Sequence, residues 1–266
     1  MTTPNTSVPA ATVSGWTALT VEIAKMRRLK TLPIVGVMVV TTLLFSGSSL
    51  FRATNQAIAD DVAALPWAGA LGLAVMMNAL IHPVIVAIVA SRQVDIENTS
   101  GGWILGSSLG RTPGIQCRTK FLVASGVIAA ACTAQLGLLV VLGRLSGISV
   151  PFDWAPWLLY LLCLIAVDCA LIALHILISA HWENQIVSVG VGLLGAFAGI
   201  YMMLAPSWAP PLVPWGYFTV IAAASLDPET ERFVYLTPDL LPLGLFLALM
   251  ATVFIVITRR MDRIER

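Results

Sequence analysis

Six long apolar runs alternate with polar segments along the chain, at residues 32–51, 67–90, 121–142, 157–180, 186–204 and 240–257. Each is close to the roughly 20 residues that carry an α-helix across the hydrocarbon core of a bilayer. The runs are almost continuously apolar, and backbone N–H and C=O groups in lipid must find partners within their own segment, so each run predicts a spanning helix. Residues 16–30 follow a different pattern. Trp16, Leu19, Ile23 and Met26 recur near one helical face, while Glu22, Lys25 and Arg28 fall on another. That periodicity predicts an amphipathic helix lying in the membrane interface ahead of the first span. Residues 1–14 are rich in Thr, Pro, Ser and Ala and read as a disordered leader; the pattern of a cleaved signal peptide is missing. The expected fold class is all-α: one polytopic membrane domain over residues 15–266.

Two polar connections stand apart from the short ones. Residues 92–120 hold Arg92, Asp95, Glu97, Arg111, Arg118 and Lys120 around a small apolar patch, Trp103, Ile104 and Leu105. Gly101, Gly102 and Gly106 bracket the patch and Pro113 follows it. The segment predicts a loop carrying a short amphipathic helix along the membrane surface, with Glu97 as an exposed anion. Residues 205–239 contain Pro206, Pro210, Pro211 and Pro214, then Trp215, Tyr217 and an acidic stretch. They predict a re-entrant or interfacial helix pair, with an irregular proline-rich loop as the plainer alternative.

Composition agrees with the pattern. Of 266 residues, 58% are hydrophobic and 11% charged, against roughly 25% charged in soluble domains. A mean hydropathy of +0.89 excludes a soluble fold. The net charge of +1 is uninformative, but its distribution is not. Lys25, Arg27, Arg28, Lys30, Arg92, Arg111, Arg118, Lys120, Arg259, Arg260, Arg263 and Arg266 fall on one side of the six spans. The other side has Arg52, Arg144 and Arg232 among seven acidic residues, Asp60, Asp61, Asp153, Asp227, Glu229, Glu231 and Asp239. The positive-inside rule then makes both termini and the 92–120 loop cytoplasmic.

Within the spans, Asp168 stands out, because an ionisable group at mid-membrane costs about 2.5–3.5 kcal/mol to insert. His175 follows seven residues later, and His82 precedes Pro83 in the second span. These three are candidates for a transport path; pairing within the helix bundle is the plainer alternative. Ser188, Gly192, Gly195 and Gly199 form small-xxx-small pairs, which permit close helix packing within the subunit or against another. Cys117, Cys132, Cys163 and Cys169 form no CxxC pair, so neither a disulfide framework nor a zinc site is expected. There is no phosphate-binding loop, no zinc helix and no nucleophile elbow. No catalytic residue, metal or cofactor is therefore expected in this chain, and no nucleic-acid partner.

The WxxLxxEIxKxRRLK start, the six runs and the loop after the second run together resemble the permease subunits of ABC-2 type transporters. Within that class the chain is similar to the lantibiotic-immunity and bacitracin-export permeases. Their loop after span two carries an acidic residue, a polar stretch, a Trp/Leu patch and a Pro-containing turn. Here these match Glu97, residues 98–102, Trp103 to Leu105 and Pro113. Gly101-Gly102 ahead of the tryptophan departs from a continuous coupling helix. The resemblance implies a pore-forming, non-hydrolytic subunit in a bacterial cell membrane. It further implies a second permease subunit, and cytoplasmic ATPase subunits that bind ATP and Mg, with Glu97 engaging the ATPase. The aromatic centre and charged rim of the loop make Asp95, Trp103, Ile104, Leu105 and Arg111 further docking candidates. The implied cargo is an amphipathic peptide antibiotic or hydrophobic drug, exported from the membrane. The rival readings are a proton-coupled secondary transporter using Asp168, a haem or redox anchor using His82 and His175, and a non-transporting scaffold.

Overall fold

The computed structural model describes residues 15–230 and 232–264; the expected leader at 1–14, Glu231 and Arg266 lie outside the described residues. Among the described residues, six helices are long and apolar enough to cross a membrane. The chain is an all-α polytopic membrane protein with one small hairpin.

The amphipathic start forms α1 (Gly15–Arg28), which buries Ala18, Glu22 and Met26 and leaves Trp16 and Ile23 exposed. Lys30, in the left-handed region at φ 55°, turns the chain into α2 (Thr31–Ser48). After a tight turn and the short α3 (Ala53–Gln56), Leu65 at φ 47° sets up Pro66 in the first turn of α4 (Pro66–Ser100). Proline suits that place, because its missing N–H would have had no helical partner there. Gly101, at φ 65°, ends α4 and opens α5 (Gly102–Ser108). Pro113 in turn opens α6 (Pro113–Leu145). Then come α7 (Trp154–His181) and α8 (Gln185–Met202), capped by the side chains of Asp153 and Asn184. The last helix is α10 (Leu240–Ile264).

Two sequence expectations are corrected. Residues 92–120 are not one long loop. α4 runs through 92–100 and α6 begins at 113, which leaves 101–112 as the connection. The run RQVDIEN contains good helix formers and no breaker before Gly101. With 35 residues, α4 is about 50 Å long, well beyond a core of about 30 Å. Residues 205–239 are not a helix pair. They form tight turns at 210–212 and 214–216, the single-turn α9 (Tyr217–Val220), and an antiparallel hairpin of β1 (Ala224–Asp227) and β2 (Arg232–Tyr235). The prolines remove the amide donors that a longer helix would need. The segment folds back over the end of the bundle opposite the basic residues. Phe233 sits against Gly69 and Gly72 of α4, and Tyr217 stacks on Phe246 of α10 at 4.0 Å.

The small residues of α8 pack within the subunit. A Cβ on Gly199 would lie 2.9 Å from the Ala79 carbonyl oxygen, and one on Gly192 would lie 2.9 Å from that of Pro83. Pro83, inside α4, provides no N–H for the carbonyl four residues earlier, which is that of Ala79. The glycine backbone of α8 therefore covers the stretch of α4 where the helix ladder is broken. Gly195 lies under Trp215, and Ser188 bonds His175.

Substituting Gly199 by Leu should force α4 and α8 apart and cost about 1–3 kcal/mol, the usual cost of overpacking. Gly190→Leu, where a Cβ meets nothing within 4 Å, should leave stability near wild type. Thermal unfolding of the purified subunit, followed by tryptophan fluorescence, compares the two; equal melting of both variants would refute the packing account.

Candidate functional site: the basic end of the bundle

The helix ends that carry the basic residues meet around one ammonium group. Lys120, in the second turn of α6, is fully buried at 0% exposure. Its Nζ lies 2.8 Å from Glu22 Oε2 of α1 and 2.6 Å from Glu97 Oε1 of α4. Lys25 adds 3.0 Å and 2.5 Å contacts to Glu22 and Glu97, and Arg111 lies 3.7 Å from Glu22. Two buried carboxylates thus face three cations. Burial works against the Lys25 ammonium, but its hydrogen bond to Glu97 and the charge of Glu22 outweigh it and hold its pKa above the ordinary lysine value. Nearby, Arg92 donates to the Leu29 carbonyl at 2.8 Å and fixes the α1–α2 joint to α4. Asp262 of α10 accepts from Arg118 at 2.8 Å, from Thr112, and from the Ile115 N–H at the start of α6.

The expectation of an exposed Glu97 is therefore corrected: it is 3% exposed and its charge is met inside the chain. Burial of Glu97 also explains the two glycines. Gly101 supplies the left-handed turn, and Gly102 leaves room for the Glu97 carboxylate, which a Cβ there would overlap. Asp95, half-buried, makes no side-chain hydrogen bond or ion pair among the described residues.

Trp103 is half-buried. Its Nε1 donates to Asn98 Oδ1 at 2.7 Å, and Asn98 donates to the Ser179 carbonyl of α7 at 3.3 Å. Trp103 is thus the anchor of α5, and the side chains turned outward are Ile104 at 79%, Leu105 at 64% and Leu109 at 53% exposure. Leu109 is an addition that the sequence patch missed, since it lies beyond Gly106.

The three membrane-embedded candidates do not form one path lining. His82 Nδ1 meets Asp168 Oδ2 at 2.7 Å, and His82 Nε2 meets Gln135 Oε1 at 3.3 Å. Gln135 donates to Asn78 at 2.6 Å, and Asn78 to the Tyr160 hydroxyl at 3.0 Å. This ladder of buried polar groups crosses α4, α6 and α7. His175 instead pairs with Ser188 of α8 at 3.0 Å, so the two histidines share no partner. Asn78 and Gln135 were legible as polar interruptions of apolar runs, the signal that singled out Asp168.

A family model described as ABC-2 family transporter protein matches residues 18–199, from α1 into α8. No curated protein and no solved structure matches the chain.

Replacing Lys120 by Met should leave two buried carboxylates short of a partner and destabilise the subunit by about 3–5 kcal/mol. Adding Glu22→Gln should recover part of that loss, because one uncompensated charge disappears. Thermal melts of the single and double variants test this; a double variant no more stable than Lys120→Met would contradict it.

Proposed function

Given that the chain belongs to the ABC-2 family of transporter proteins and is a permease subunit of an ABC transporter, we propose that it pairs with a second permease subunit and is driven by ATPase subunits bound at α5. The observation that carries this reading is the surface of α5. Ile104 and Leu105 of α5, with Leu109 just after its end, project outside the six spans, at the end where the basic residues gather. An exposed apolar centre on a polar end of the molecule has the composition of a protein interface. Behind it, Trp103, Asn98 and the Glu22–Lys120–Glu97 cluster tie α5 to α1, α4, α6 and α7. A push on α5 is therefore delivered to four helices.

The charge distribution supports a cytoplasmic location for this end and for both termini, and the proposed setting is a bacterial cell membrane. ATP and Mg would be held by the partner, and this chain would transport without hydrolysing. The proposed cargo is an amphipathic peptide antibiotic or hydrophobic drug exported from the membrane. A groove of about 470 Å³ supports that class. It runs between α6, α7 and α10, is lined by Phe121, Leu122, Ala170, Met250 and Phe254, and has Arg118 among its lining residues.

The Ile104→Ser/Leu105→Ser double variant should fold and insert as wild type, since both side chains are exposed, yet lose the ATPase. Truncation of interface hot spots costs about 2 kcal/mol or more, roughly thirtyfold in affinity. Co-purification of the ATPase from membranes, with cargo-stimulated ATP hydrolysis, measures it. Wild-type recovery and hydrolysis in the double variant would remove α5 as the docking element.

A further inference from the structure

The buried ladder contains a second arrangement that transport does not call for. His82 Nδ1, Cys132 Sγ and Asp168 Oδ2, from three different helices, lie within 4.8 Å of one another, and all three residues are buried. Asp168 Oδ2 is central, at 2.7 Å from His82 Nδ1 and 3.4 Å from Cys132 Sγ. The other oxygen, Asp168 Oδ1, is buried and has no hydrogen-bond partner among the described residues. An orphaned carboxylate oxygen in an apolar interior is costly, and it marks a site whose donors exceed the protons available to satisfy them.

We propose that His82, Cys132 and Asp168 form a binding site for a first-row divalent metal ion, with zinc the best fit. The donor set is one imidazole, one thiolate and one carboxylate, which suits zinc and not the hard cations calcium and magnesium. Three protein donors are the number in zinc sites that leave the fourth position to water or another ligand. The ligand histidine is already oriented. Gln135 spends its amide N–H on Asn78, so Gln135 Oε1 is free to accept from His82 Nε2, and Nδ1 faces Asp168 and Cys132. An outer partner of this kind fixes the tautomer that a metal-ligating imidazole needs.

Charge balance permits the site at this depth. Binding exchanges two protons for the ion: bonds form from the metal to N, S and O, the Cys132 S–H proton and the proton of the His82–Asp168 hydrogen bond are displaced, and two H⁺ leave to water. That exchange leaves the net charge unchanged, so the bilayer adds no Born penalty for it. The bound ion would clamp α4, α6 and α7 at the level of the Pro83 break in α4. Nothing in this depends on which cargo is carried or where the ATPase docks.

The test is metal loading of the purified full-length subunit in nanodiscs, with Zn(II) counted by plasma mass spectrometry and Co(II) as the spectroscopic probe. Wild type should retain about one equivalent per chain after desalting, with the thiolate-to-cobalt charge-transfer band of a Cys ligand. Cys132→Ala, a small apolar replacement, should elute as folded protein and lose both the band and the bound metal. Gln135→Leu should keep the ligands but weaken affinity about 10–100-fold. Cys163→Ala, at a buried cysteine outside the cluster, should bind as wild type. Zinc should raise the melting temperature of wild type and not that of Cys132→Ala. Absence of retained metal in wild type, or full retention with an unchanged cobalt spectrum in Cys132→Ala, overturns the proposal. Should Cys132→Ala fail to fold, the wild-type stoichiometry and the presence or absence of the thiolate band decide it alone.

Discussion

The rest of the structure depends on an ammonium group that has been taken out of water. Lys120 has no exposed surface and is shared between Glu22 and Glu97, which come from helices 98 and 23 residues away in sequence. Burying an ion is expensive, and opposite charges at hydrogen-bonding distance offset the cost only while each charge keeps a partner. The consequence is geometric. α1 cannot lift from the interface, and α4 and α6 cannot separate, without stripping these charges of partners. The cluster defines where three helices meet, and the connection holding α5 is suspended from that junction.

The length of α4 and α6 follows from the same junction. A bilayer needs only about 30 Å of helix, and α4 carries about 50 Å. The surplus places Arg92, Asp95 and Glu97 at one end of α4, where Glu97 finds Lys25 and Lys120 and Arg92 finds the Leu29 carbonyl. Apolar runs mark where a helix is greasy, not where it stops. A sequence reading therefore ends the span at the first charge, while the helix goes on to the first residue that can adopt a positive φ, here Gly101. The same logic hid the hairpin at 224–235. Its two strands have four residues each, too few for alternation to show, and it is held by Phe233 against the glycines of α4.

What was legible is what periodicity and composition encode: the six spans, the amphipathic α1, and the apolar character of Ile104 and Leu105. What was not legible depends on which side chains meet. Glu97 read as an exposed anion because polar neighbours surround it in sequence; its cations arrive from α1 and α6. Trp103 read as one patch with Ile104 and Leu105, although on a helix consecutive residues diverge by about 100°. One of the three therefore turns inward to Asn98 and the others outward. The His82, Cys132 and Asp168 cluster was invisible for the same reason: its members are 50 and 36 residues apart and match no spacing motif. Motifs detect ligands on one element, whereas a bundle core assembles them from several.

The redundancy of the basic-end cluster has a mechanical meaning. Glu22 faces Lys25, Lys120 and Arg111, and Glu97 faces Lys25 and Lys120. With a single ion pair, sliding one helix past another would strip a buried carboxylate, and the barrier would be the whole desolvation cost. With three cations for two anions, a carboxylate can pass from one ammonium to the next while always keeping a partner. A junction built this way resists separation but tolerates shear, because separation loses all partners and shear exchanges them. Shear of packed helices is the motion available to a bundle that must change the shape of a path without coming apart. The surplus positive charge is thus more than electrostatic insurance. It gives each buried carboxylate more than one cation within reach, so a small sliding of α1, α4 and α6 need not leave a charge bare.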